Sequence, residues 1–289
     1  NVKIEDNLTK YIIFADDISY LKKEEKIKAT GKVKIIDDKE QTITSDKIEF
    51  NKKLNQINAK GNVKIENKIN KYIVFAEDIS YFKNKEKILT KGKSQAIIEK
   101  KYTIYSEDIE FDTSKKKIKS NKKTKIINKN NQIINLDKFY FSINENEIRG
   151  ENILLVTDFG SPKSDKFFFS SAILNLNKNS FIAKNTEIKI HKTIFDNSEN
   201  DPRIKGVSAK GNDDQVTLNK AVFTTCRQND NCPPWSLSAK KIKHEKNKKQ
   251  ITYDSAILKI YDLPVMYFPK FFHPDPSVKR QSGLLQPKL

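Results

Sequence analysis

YIIFADDISYLKKEEKIKATGKVKI, residues 11 to 35, decides the fold because the chain repeats it at a nearly constant interval. The small residue before the acidic corner recurs as Ala15, Ser45, Ala76 and Ser106, in steps of 30, 31 and 30. An apolar residue three places on keeps the same time as Ile18, Ile48, Ile79, Ile109 and Phe139. A third marker, nine further along, is Ile27, Ile57, Ile88, Ile118 and Ile148. Three registers that agree over five copies identify a repeat array, in which each unit buries its apolar face against the next.

Within a copy the apolar period is two. Ile13 and Ala15 follow Tyr11, Ile18 and Tyr20 continue after a one-residue slip, and Ile27, Ala29, Val33 and Ile35 form a second set. Each copy therefore predicts two strands joined by a short polar turn such as KKEEK at 22–26. The slip across Asp16 and Asp17 turns the inward face over, as a bulge or corner does. The inward set continues as Ile43, Ile48, Phe50, Ile57, Ala59 and Val63 in the second copy. In the third it is Val74, Ala76, Ile79, Tyr81 and Ile88, and in the fourth Ile109 and Phe111. Gly31, Gly61 and Gly92 recur where a strand must bend or admit a group close to its backbone. The turns are too short for crossover helices, so the copies stack through hairpin-like connections into an all-β roll.

The 289 residues are 36% apolar and 32% charged, with a net charge of +18 from 55 basic and 37 acidic side chains. Such a balance often fails to collapse, and the regular spacing of the apolar residues restores a globular reading. The charge invites a polyanion, but most lysines fall in turns, where they form a solvated surface. Phe14, Tyr20, Phe50, Phe75, Tyr81 and Phe111 hold fixed repeat positions instead of interleaving with basic residues, which argues against nucleic acid as a partner. No apolar run approaches the roughly 18 residues of a membrane-spanning helix. The chain opens on Asn1 without a leader, as expected of a piece of a longer mature protein.

Beyond copy five the rhythm changes. DFGSPKSD at 158–165 reads as a loop, Phe167 to Ile190 as strands, 191–214 as a long polar loop, and 215–225 as a strand. The last copy runs from Trp235 to Ile260. Residues 261–289 differ: Asp262 to Pro287 holds five of the nine prolines beside a dense aromatic run, so 1–260 reads as the roll and 261–289 as a junction.

Chemistry is sparse. There is no GxSxG, HExxH, P-loop or dinucleotide turn, so no enzyme activity and no cofactor are expected. Asp16 and Asp17 read as turn formers, because Ser45-Asp46-Lys47 breaks the pair at the matching corner. Cys226 and Cys232 fall two ligands short of a zinc site, with His191, His244 and His273 scattered, so no metal is expected. The two cysteines fit a disulfide, local or to a cysteine elsewhere, or free thiols. The inward wall either fills the roll or leaves an apolar groove that suits long acyl chains.

The corner at Ala15 to Tyr20 and the AxGxVxI strand at 29–35 resemble the OstA-like domain shared by lipopolysaccharide transport proteins, over residues 11 to 260. FTTC (223–226), PPWSLSAKKI (233–242), AILKI (256–260), LPVMYFP (263–269) and KRQSGLLQP (279–287) resemble the member of that family that assembles lipopolysaccharide at the outer membrane. The resemblance implies a periplasmic β-jellyroll, an open roll of stacked two-strand repeats of about 30 residues, whose inward residues carry lipid A acyl chains. It implies an LptA-type bridge protein at the N-terminal edge and passage to an outer-membrane β-barrel plugged by an LptE-type lipoprotein. The first barrel strand would begin near Arg280, with Pro264, Pro269 and Pro287 at the junction and exit seam. Cys226 matches the family cysteine that pairs further along the chain, and Cys232 departs from that pattern.

Overall fold

The alternation read from the sequence becomes a run of antiparallel strands in the computed structural model, which describes residues 2–6, 10–191, 201–227, 234–274 and 278. Among these residues the only helical segments are single 3-10 turns at Lys22–Glu24 and Lys83–Lys85, and no helix is long and apolar enough to cross a membrane. The chain divides into two compact units, Asn1–Asn146 and Glu147–Leu289.

The first unit holds β1 (Val2–Asp6), β2 (Tyr11–Ala15), β3 (Asp17–Leu21), β4 (Lys26–Ile36), β5 (Gln41–Asn51), β6 (Gln56–Asn67) and β7 (Tyr72–Phe82). It continues with β8 (Lys87–Ile98), β9 (Tyr102–Glu107), β10 (Glu110–Asp112), β11 (Lys117–Ser120), β12 (Thr124–Asn128) and β13 (Ile133–Ser142). β2 and β3 both pair with β4, and are the two halves of one strand broken at Asp16. The meander then runs β4, β5, β6, β7 and β8, and the later broken strands pair half by half. Each copy is a two-strand hairpin, as the period of two required.

Every long strand kinks at the corner. The ladders jump between Thr30 and Val33, Thr44 and Lys47, Lys60 and Val63, and Ala76 and Asp78. Such bulges bend the strand, and stacked bulges fold the meander over on itself. The acids shape the bend. Asp16 N–H donates to Gly31 O at 2.9 Å, and a Cβ on Gly31 (φ +75°) would lie 2.5 Å from Asp16 Oδ2. Asp46 crowds Gly61 (φ +77°) in the same way. Where copy three carries Glu77-Asp78, the space over Gly92 is open and its N–H donates to Asp108 Oδ1 at 2.8 Å. Buried hydroxyls take up backbone groups that the kinks release from the ladder. Thr90 Oγ1 accepts from Ile109 N–H at 2.8 Å, and Ser120 Oγ donates to Glu107 O at 2.6 Å.

Folding brings the two halves of the strands face to face. Tyr11 meets Phe50, Tyr72 meets Phe111, and Tyr102 meets Phe141, each edge to face with centroids 5.0 to 5.2 Å apart. Such pairs contribute about 0.5–1.5 kcal/mol beyond the area they bury.

The second unit is a plain meander in which each strand pairs with the next: β14 (Glu147–Val156), β15 (Lys166–Asn175), β16 (Ser180–Lys189), β17 (Arg203–Gly211), β18 (Gln215–Thr224), β19 (Trp235–Glu245), β20 (Gln250–Ile260) and β21 (Leu263–Pro274). Ile204, Leu218, Phe223, Ile242, Ile251 and Tyr253 form its buried centre. β17 corrects the expectation of a loop over 191–214. RIKGVSAKG is too charged to read as a strand, yet it is held by β16 on one side and β18 on the other, and ladder pairing outweighs weak local preference.

Candidate functional site

Most of the predicted wall is the interior of the first unit. Ile13, Ala15, Ile27, Ala29, Val33, Ile43, Ile48, Phe50, Ile57, Ala59, Val63, Val74, Ile79, Tyr81, Ile88, Ile109 and Phe111 are each at most 4% exposed. Ile18 and Ala76 are half-buried. Tyr20 is a correction: it was expected inward and is 50% exposed. The matching residues Phe50, Phe111 and Phe141 are each covered by a tyrosine opening a strand of the preceding copy. Tyr20 belongs to the first copy and has no such cover, and Lys52 Nζ lies 5.7 Å from its ring. These side chains pack against one another inside the roll, whose two edges meet where an open roll was expected.

The closure has a seam. The turn after β4 (37–40) and the turn after β7 (83–86) lie on opposite edges of the meander, and flat strands of this length would hold them roughly 35 Å apart. In the roll they touch. Lys83 Nζ lies 3.0 Å from Asp38 Oδ1 and 4.4 Å from the centroid of the Tyr11 ring, and Lys39 Nζ pairs with Glu86. Lys52 Nζ reaches Asp6 at 3.2 Å, and Tyr102 OH donates to Asn146 Oδ1 at 3.2 Å. The hydrogen bond from Lys83 holds the Asp38 carboxyl below its ordinary range, and that to Glu86 raises the Lys39 ammonium. Exposed pairs of this kind contribute about 0–1 kcal/mol each, far less than the packed rings behind them.

The other candidates are scattered. Among the described residues Cys226 has no disulfide partner; its Sγ lies 3.6 Å from Trp235 O, and its carbonyl accepts from Arg203 Nη1. Cys232, Arg280 and Pro287 lie outside the described residues. His191 contacts Asp165 at 2.8 Å, and His273 Nε2 lies 2.8 Å from Tyr253 OH. Among the described residues no three metal-binding side chains gather. Pro264 stands opposite Lys259 where the β20–β21 ladder shifts, and the ladder skips Pro269. That placement suits a residue without an N–H. Leu263, Val265, Met266, Tyr267 and Phe272 on β21 are each more than half exposed, a surface of the kind that marks an interaction site.

Kinked hairpin repeats rolled around a largely apolar interior define a repeat-built β-jellyroll. The family model described as OstA-like protein matches residues 11–165, more than half of the chain, and the chain belongs to that family. Two curated relatives are both named LPS-assembly protein LptD. One, from Polaromonas sp., is 30% identical over 116 residues, covering 36% of this chain and 14% of the relative. The other, from Paracidovorax citrulli, is 31% identical over 79 residues, covering 26% of this chain and 10% of the relative. The chain thus matches about a tenth to a seventh of the length of these relatives. A solved structure is also similar: LptH of Pseudomonas aeruginosa, the LptA-homologous periplasmic component of a lipopolysaccharide transport device. It is 18% identical, with a TM-score of 0.35, covering 40% of this chain and 84% of that one.

Proposed function

We propose that this chain is the periplasmic part of an outer-membrane lipopolysaccharide assembly protein, and that its roll takes up lipid A acyl chains. The observation that carries the reading is the largely apolar interior that runs along the repeats of an OstA-like chain. The names of the two relatives support the same assignment. Acyl burial supplies about 0.8 kcal/mol per CH₂. The chains enter by parting the seam, and seam lysines such as Lys39 and Lys83 meet the lipid phosphates.

An LptA-type bridge delivers lipid at the N-terminal edge, where Tyr20 awaits the aromatic cover that later copies receive from within. The proline-bearing β21 leads to a barrel that begins near Arg280, holds an LptE-type lipoprotein and releases lipid beside Pro287. A photo-crosslinker at Ile48 or Ile79 in cells is expected to capture lipopolysaccharide. Capture from exposed Lys47 alone would overturn the interior assignment. The same fold also serves a bridge protein without a barrel, and several hundred residues of alternating strands following Leu289 would exclude that reading.

A further inference from the structure

The interior of the first unit is not apolar throughout. Tyr11 OH, Asp37 Oδ2 and Gln41 Nε2 have no hydrogen-bond partner, although their residues are 1%, 7% and 3% exposed. Asp37 and Gln41 flank one turn, and Asp37 lies near enough to act on the Tyr11 phenol, as Gln41 does on the Tyr81 phenol. Asp37 Oδ1 accepts from the N–H groups of Lys39 and Gln41 at 2.9 Å, which fixes the carboxylate across its own turn and leaves Oδ2 over. Gln41 Oε1 accepts from Tyr72 OH, which leaves the amide nitrogen over. Lys83, over the Tyr11 ring, bonds Asp38 beside Asp37 and so draws the phenol to the same turn. Gln41 also departs from the tyrosines at the equivalent positions, Tyr11, Tyr72 and Tyr102, each against a phenylalanine, and Gln132 does the same in the fifth copy. Polar atoms so well covered are strongly unfavourable unless something bonds to them.

The three atoms are complementary to one chemical group. Gln41 Nε2 donates, Asp37 Oδ2 accepts and Tyr11 OH does either, which matches a hydroxyl with its one proton and two lone pairs. We propose that Tyr11, Asp37 and Gln41 form a polar subsite inside the roll for a hydroxyl group carried on an acyl chain. The inference rests on the reading that the interior takes acyl chains, and adds which chains it favours. A bare methylene chain leaves all three atoms unpaired, and a site built to bond a hydroxyl discriminates against the analogue that lacks it. The turn at 37–40 links the subsite to entry, since Asp37 points inward while Asp38 and Lys39 hold the seam.

The test uses the chain Asn1–Leu289 with tetradecanoate and 3-hydroxytetradecanoate as probes, their affinities measured by calorimetry. The hydroxylated chain is expected to bind at least tenfold more tightly. Tyr11→Phe, which keeps the ring against Phe50, and Gln41→Leu are each expected to cut the preference for the hydroxylated chain to under threefold. Thermal melts confirm that both variants fold. Equal affinities for the two probes would mean that the subsite holds only a buried water, overturning the inference and leaving the acyl-chain reading standing. A preference that survives both substitutions also overturns it. Binding of neither probe removes the acyl-chain reading and the subsite together.

Discussion

Tyr11 and Phe50 meet edge to face inside the roll, their centroids 5.0 Å apart and their planes at 84°, although 39 residues separate them in sequence. Phe50 is fully buried, so Phe50→Ala removes a ring from packed surroundings and is expected to lower stability by about 3–5 kcal/mol. Tyr20→Ala, at the same place in the first copy, is expected to change stability by under about 1 kcal/mol, because half of that ring already faces water. Urea titration of both variants checks the difference, and equal losses would contradict the account of Tyr20 as uncovered.

The corner yields a second contrast. Gly31 and Gly92 both have positive φ, so alanine at either is strained by about 1–2 kcal/mol. Only at Gly31 does the new methyl also meet an acid, Asp16, while Gly92 faces open space. Gly31→Ala is therefore expected to destabilise more than Gly92→Ala, and adding Asp16→Ala to Gly31→Ala to close part of the gap. Chemical denaturation of the three variants measures it.

Ion pairs line the outside of the seam, so its fraying responds to salt and acid more than the packed core does. A cysteine in place of fully buried Ile13 reports on opening, since a thiol reagent reaches it only when the roll parts. Labelling is expected to quicken severalfold in 1 M salt or in Asp38→Asn, with little change in global stability. Asp38 fixes the sign of the pH effect. Lys83 lowers its folded-state pKa, so its contribution is complete above about pH 4 and is lost as pH falls through the lowered value. Hydrogen exchange in the turns at 37–40 and 83–86 is expected to lose protection across that window, relative to intrinsic rates. A seam indifferent to both salt and acid would not be ionic.

How much of this was legible in the sequence depends on the range of the interaction. The hairpin repeats, the corners and nearly all of the wall follow from spacing, because a period of two and a one-residue slip are local facts of the backbone. Tyr20 misled because burial depends on having a neighbour in an earlier copy, and the first copy has none. β17 was missed because its strand character comes from partners on both sides. Asp38–Lys83 and the cluster at Gln41 join residues about 30 to 45 positions apart across the closed roll. One signal was available for the second of these: Gln41 stands where Tyr11, Tyr72 and Tyr102 stand in their copies, as Gln132 does in the fifth.

The buried phenols give a last expectation, at the alkaline limit. Burial, the largest cause in each case, raises the pKa values of Tyr11, Tyr72, Tyr81 and Tyr253. At Tyr11 and Tyr72 the neighbouring Tyr81 and Asp37 add to the effect. A raised folded-state value means that the unfolded chain loses the proton first. The associated stability is thus complete below about pH 10 and declines as pH climbs toward the raised values. These four tyrosines are expected to ionise only as the fold is lost, so their part of the absorbance rise near 295 nm should coincide with loss of the β signal in circular dichroism. In Tyr72→Phe the coincident step should shrink and the transition should move to higher pH, provided that losing the bond to Gln41 leaves the fold intact at neutral pH. Ionisation of these phenols well ahead of unfolding would mean that water reaches the interior freely, and that the roll stands open without cargo.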